Sequence, residues 1–379
     1  MLLQRLVCLV AILLVGAVAG WADEGSPGRW SVERANAWYA EQPWMVGANF
    51  VPSTAINQLE MWQADTFDPE TIDRELGYAA GIGMNTMRVF LHDLVWKEDP
   101  EAYLKRIDEY LAIADRHGIK TMVVFFDGVW HPVPESGPQP EPVAERHNSG
   151  WVQSPGKQIL GDPARHDELR SFVVGVLRKF GDDPRVVVWD LFNEPDNSNA
   201  GKWGGTAAEE LPPDEKAKRA TQLLRKAFQW ARSVNPSQPL TAGVWGEPDW
   251  YESPSEIEVL SLAESDVISF HTYQPIDEAL ELIAGIDDAT DRPLLCTEYM
   301  ARTAGSTFEG LLPEFKRRKI AAYNWGLVSG RSQTIYPWSS WWRAFDEEPK
   351  TWFHDVFRPD GTPFAQAEAD LIRDLTASE

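Results

Sequence analysis

The sequence predicts a single (β/α)8 (TIM) barrel of the α/β class, and three observations carry that expectation. Eight short, almost wholly apolar runs recur along the 379 residues, and stretches with helical periodicity separate them. No glycine-rich dinucleotide turn follows the first run. Continuous hydrophobicity suits strands buried on both faces, as in a parallel sheet. Strict alternation with helices winds such a sheet into a barrel or a doubly wound layer, and eight units without the dinucleotide turn favour the barrel.

In chain order the candidate strands are Met45–Val51, Met84–Leu91, Ile119–Phe126 and Val186–Phe192, then Pro239–Trp245, Val267–Tyr273, Leu294–Glu298 and Ile320–Leu327. The first helix is expected over Pro69–Ala80, because Asp68 can cap it and Gly81 can end it. Pro100–His117 carries Leu104, Ile107, Leu111 and Ile113 on one face and stops at Gly118. Helical patterns continue at Asp167–Phe180, Asp214–Val234, Ser255–Ala263, Ile276–Ile286, Thr307–Lys319 and Thr362–Leu375. Two connections exceed what the fold needs: Asp127–Asp162 after the third strand and Val328–Lys350 after the eighth. Both emerge at the C-terminal face of the barrel, where barrel active sites lie.

Residues 1–22 read as a signal peptide. Arg5 precedes the apolar run Leu6–Val18, and Ala17, Ala19, Gly20 and Ala22 offer cleavage after Ala19 or Ala22. An uncleaved anchor is the alternative. The expectation is a catalytic domain over residues 23–379, secreted or periplasmic, monomeric, and free of the membrane once the leader is cut. Cleavage removes Cys8 and leaves Cys296 in an apolar run, an inert buried thiol with no disulfide partner. A net charge of −23 disfavours nucleic acid and anionic membrane surfaces as partners, and suits a neutral substrate better than a polyanionic one. The 18 tryptophans exceed what a core usually needs and supply flat apolar platforms for ring-shaped ligands; Trp130, Trp151, Trp338, Trp341 and Trp342 fall in the two long loops.

The sharpest chemical signal is Val187-Val188-Trp189-Asp190-Leu191-Phe192 running into Asn193-Glu194-Pro195. Glu298 ends a later strand in the same way, after Leu294-Leu295-Cys296-Thr297. A charged residue at the end of a barrel strand points into the mouth of the barrel. Two carboxylates there match what glycosidic cleavage needs, one held protonated to donate to the leaving oxygen and one ionised to attack the anomeric carbon.

With these motifs in place, the chain resembles the clan A glycoside hydrolases, family 5 (cellulase-like) or a closely neighbouring family. The resemblance follows the order of elements over the whole mature chain. It implies a retaining double displacement with Glu194 as acid/base and Glu298 as nucleophile. It also implies that Arg88 contacts the nucleophile, Asn193 the sugar 2-hydroxyl, and Tyr273 the nucleophile, with His271 beside the acid/base. Trp325 would floor the subsite of the cleaved sugar. Many family 5 members carry a histidine at the end of strand three, whereas here Asp127 takes that place and His131 follows. Asp127 and His131 are therefore alternative subsite residues, and Trp338 is a further candidate for sugar contact.

The expected carboxyl separation is about 5–5.5 Å for retention and roughly 6.5–9.5 Å for inversion. The substrate expected is an oligo- or polysaccharide, a neutral β-linked glucan, mannan or xylan. No cofactor is expected, and His92, Asp93 and His117 lack metal-ligand spacing. The alternatives are an exo-acting β-glycosidase or transglycosylase on short oligosaccharides, and a carbohydrate-binding barrel without catalysis.

Overall fold

The computed structural model describes residues 27–198, 210–246 and 250–377, so the leader and its cleavage sites lie outside the described residues. Each apolar run becomes a strand: β1 Val46–Asn49, β2 Thr86–Phe90, β3 Lys120–Asp127, β4 Val186–Asn193, β5 Leu240–Thr241, β6 Ile268–His271, β7 Leu294–Tyr299 and β8 Ala321–Trp325. All pairings are parallel, in the order β5-β4-β3-β2-β1-β8-β7-β6. The seam between the outer strands closes through a parallel bridge, Val244 to Phe270. Val244 N donates to Ser269 O (3.0 Å) and His271 N to Val244 O (3.0 Å). β5 is short because its continuation reaches β6 only at Val244, past Gly243. The eight-strand barrel stands.

Four of the expected helices begin at a side-chain cap, whereas the last starts at Gln366, four residues after the expected Thr362. Asp68, Asp99, Ser255 and Thr307 each accept a backbone N–H from the first turn, and Ser255 with Glu258 forms a reciprocal capping box. Four helices were not predicted: the short Gln58–Trp62, Asp93–Glu98 and Lys157–Leu160, and a longer one before the first strand. That longer helix, Val32–Ala40, lies outside the alternation that identifies the expected ones. Its Tyr39 closes the lower end of the barrel, packing with Met45, Met122, Val187, Val188, Leu295 and Tyr323. The barrel is thus filled from below and leaves its upper end for the site. Most of the remaining core, including fully buried Trp62, Trp189 and Phe125, sits between the sheet and the outer helices.

Candidate active site

β4 is buried along its whole length and delivers Asn193 and then Glu194 to the mouth of the barrel. Glu194 adopts φ +39, a left-handed conformation that a non-glycine residue holds only at a cost, and such strain gathers at functional turns. The loop after β3 closes on this turn. Gly128 N donates to Asn193 O (2.9 Å), and a Cβ at Gly128 would fall 2.1 Å from the Glu194 carbonyl oxygen. Only glycine allows that approach. From behind, the buried ammonium of Lys216 donates to Gly128 O (2.8 Å), to the carbonyl of Asn197 and to Glu210 Oε2 (3.1 Å).

Glu298 arrives on β7, and a register shift between Phe270 and His271 on β6 sets His271 opposite it. Arg88, in the middle of β2 and fully buried, donates to Glu298 Oε1 (3.0 Å), Asn49 Oδ1 (2.8 Å), Asn193 Oδ1 (2.7 Å) and Asp190 Oδ2 (2.8 Å). The Tyr273 hydroxyl donates to Glu298 Oε2 (2.8 Å). Glu194 has a different environment. Its Oε2 accepts from Asn197 Nδ2 (2.5 Å), and its Oε1 lies 2.8 Å from His271 Nδ1. One oxygen of Glu194, one oxygen of Glu298 and a ring nitrogen of His271 all lie within 4.8 Å of one another.

Burial pushes both carboxyls up to about 7. The Glu194 carboxylate contributes to the rise at Glu298, so the two titrate as a coupled pair near neutrality. The partners decide which of the two keeps its proton. Arg88 and Tyr273 both donate to Glu298 and favour its anion, which leaves the proton on Glu194. Burial also holds His271 down at about 4, so its imidazole is neutral and presents no competing cation. The same three groups also have the donor set of a divalent-ion site. With Arg88 bonded directly to Glu298, a positive charge already occupies the place where a metal site would put a carboxylate or carbonyl.

The cavity above the pair holds about 250 Å³. Of the residues expected from sequence, Asn193, Glu194, Tyr273, Glu298, Trp325 and Trp338 line it. Arg88 and His271 stand behind them. Asp127 lies one layer below: it accepts from Asn193 Nδ2 (2.9 Å) and Trp151 Nε1 (2.6 Å), and burial raises its carboxyl to about 7. It orients Asn193 rather than facing the cavity. His131 stands apart from the site; its N–H donates to Trp151 O (3.1 Å), and its Nδ1 accepts from Val133 N (3.3 Å). The chain turns away at Trp130, φ +67, before His131 is reached. Trp130 lines the cavity with Trp341 stacked behind it, Trp151 is buried beneath, and Trp342 is 63% exposed.

Sequence reasoning missed several wall residues: Asp196, bonded to Trp245 Nε1 (2.8 Å), together with Asn197, His147, Asn148 and His354. Asn197 had a signal, since it lies three residues after Glu194 in an Asn-Glu-Pro-Asp-Asn turn. Asp196 lies in the same turn, whereas His147, Asn148 and His354 sit in aperiodic loops.

The cellulase family model, glycosyl hydrolase family 5, matches residues 51–327. No curated protein sequence matches the chain. A GH5_18 structure from Streptomyces cattleya in complex with GlcNAc is 14% identical, with a TM-score of 0.57 over 88% of this chain and 80% of that one. A GH5_18 variant from Bifidobacterium longum, in complex with Manβ1-4GlcNAc, is 14% identical, with a TM-score of 0.58 over 88% and 78%. An exo-β-1,4-mannosidase from an Opitutaceae bacterium is 17% identical, with a TM-score of 0.58 over 88% of this chain and 59% of that one. At these identities the likeness is one of fold. Among the described residues no helix is long and apolar enough to cross a membrane.

Proposed function

The chain belongs to glycosyl hydrolase family 5, and from that premise we propose that it cleaves neutral β-linked glycans by retaining double displacement, with Glu298 as nucleophile and Glu194 as acid/base. One observation carries the assignment. The two carboxyls approach within 4.8 Å, yet only Glu298 is held by Arg88 and Tyr273. An ionised Glu298 oxygen bonds to the anomeric carbon as the bond from that carbon to the leaving oxygen breaks. The electron pair goes to the leaving oxygen, which takes the proton from Glu194. Once Glu298 is esterified its negative charge is gone, the Glu194 pKa falls, and the same residue deprotonates the water that releases the sugar.

Substrates built on mannose or glucose fit best. The cavity is walled by Trp130, Trp325 and Trp338, which suit sugar faces, and the Bifidobacterium neighbour holds Manβ1-4GlcNAc. We also propose export, on the strength of the apolar leader, and a monomeric state.

Hydrolysis of a panel of β-mannans, β-glucans and xylans and their oligosaccharides, with the first-formed anomer followed by proton NMR, tests the reading. A β-anomer from a β-glycoside, with activity lost in Glu298→Ala and Glu194→Ala, is the expected result. An initial α-anomer, or full activity in Glu298→Ala, would overturn it.

A further inference from the structure

We propose that the enzyme is exo-acting: it has a single glycone subsite and removes the terminal, non-reducing sugar of its substrate. The loops after β3 and β8 form a strap that blocks any further sugar on that side. The inference rests on the assignment of Glu194 and Glu298 above.

Those two residues set the direction of the substrate. The leaving oxygen must face Glu194 on β4, so the leaving group lies toward Asp196, Asn197 and Trp245. The sugar under attack lies beside Glu298 on β7 and over Trp325 on β8. Its non-reducing end therefore points across the tops of β1 and β2. The strap crosses this sector.

The strap is built from both loops and anchored at several points. Trp130 of the first loop stacks on Trp341 of the second, with ring centroids 5.4 Å apart and planes 12° from parallel. Trp341 Nε1 donates to His147 O (2.9 Å), and His147 Nδ1 lies 2.9 Å from Tyr336 O. Further along, Asn148 N donates to Ser332 O (2.9 Å) and Gln333 Nε2 to Val143 O (2.6 Å). The loop after β1 seals the underside. Asn57 Nδ2 donates to Gly150 O (2.7 Å) in the first loop, and Ser53 O accepts from Arg331 N (3.0 Å) in the second.

An endo-acting cleft needs a through-going groove, whereas side-chain and backbone hydrogen bonds together stitch this sector shut from β3 to β8. The cavity that remains, about 250 Å³, is smaller than the roughly 300–1,000 Å³ of sites for drug-sized ligands. It suits one sugar ring between the carboxylates.

The test uses the whole enzyme on β-1,4-mannopentaose and cellopentaose reduced at the reducing end, with 4-nitrophenyl β-mannoside and β-glucoside in parallel. Release of free monosaccharide from the start, with alditols shortened one unit at a time, is expected. Methylating O4 of the non-reducing terminal sugar should slow cleavage at least about 10–200-fold, the discrimination a filled pocket gives against one added carbon. Trp341 backs the wall without lining the cavity. Trp341→Ala should therefore reduce the methylation penalty at least about tenfold while nitrophenyl glycoside hydrolysis stays within about twofold of wild type. Gln333→Ala is the milder second variant should the first fail to fold. Initial release of di- or trisaccharides, equal rates on methylated and free substrate, or a penalty untouched in both variants would overturn the inference. Full hydrolysis of the nitrophenyl glycosides by Glu298→Ala would instead overturn the underlying assignment of the glutamates.

Discussion

Replacing Tyr273 by Phe removes one hydroxyl and nothing else: the ring keeps its edge-on contact with Trp338, 5.1 Å between centroids. The hydroxyl donates to Glu298 Oε2 at 2.8 Å in a buried site. A hydrogen bond to a charged group contributes about 1.5–3 kcal/mol, and one pKa unit corresponds to about 1.4 kcal/mol. The bond is made to the anion, so it lowers the pKa of Glu298, and its loss must raise that pKa by about 1–2 units. The nucleophile works ionised. Its protonation therefore sets the acid limb of the profile of kcat/KM against pH, and that limb should move up by the same 1–2 units. Below the limb the variant should lose about 10- to 100-fold in kcat/KM, while thermal stability stays near wild type. The assay is hydrolysis of a nitrophenyl β-glycoside between pH 4 and 9. An acid limb that stays in place, or moves down, would refute the role given to Tyr273.

The opposite limb belongs to Glu194. Asn197 Nδ2 donates to its Oε2, so Asn197→Ala should raise its pKa and shift the alkaline limb upward by about 1–2 units, leaving the acid limb in place. Glu194→Gln should abolish the alkaline limb and cut hydrolysis of unactivated oligosaccharides by about 10²–10⁴-fold. Dinitrophenyl glycosides, whose leaving group needs no proton, should still form the intermediate, and azide should accelerate its breakdown; equal losses on both substrate types would contradict an acid role. Lys216→Met leaves the Glu210 carboxylate and two carbonyls behind the Glu194 turn without their ammonium, and breaking a buried ion pair costs about 3–5 kcal/mol. A denaturation midpoint lowered to match is expected, and a loss under about 1 kcal/mol would mean the pair is replaceable.

The barrel was legible because buried parallel strands must be apolar on both faces, which writes each one as a continuous run such as Val186–Phe192. The two strand-end glutamates were legible for a related reason. A glutamate that ends such a run, as Glu194 and Glu298 do, has only the barrel mouth to face. Arg88 was placed correctly beside Glu298, but its four-way hydrogen bonding to Asn49, Asp190, Asn193 and Glu298 depends on register between strands, which no single strand encodes. Asp127 and His131 show the limit at a strand end. Their spacing leaves both eligible, and the left-handed turn at Trp130 turns the chain away before His131. His147, Asn148 and His354 reach the cavity from loops without periodicity, so nothing in their sequence surroundings marks them. The helix Val32–Ala40 precedes β1, where the strand–helix alternation starts, so that pattern does not mark it.

The central claim is that Glu298 bonds to the sugar. Incubation with a 2-deoxy-2-fluoro β-mannoside or β-glucoside carrying a good leaving group, followed by peptide mass spectrometry, tests it directly. A stable adduct of one fluorosugar per chain, on the peptide containing Glu298 and absent in Glu298→Ala, is the predicted result. An adduct on Glu194 or on any other residue would contradict the account.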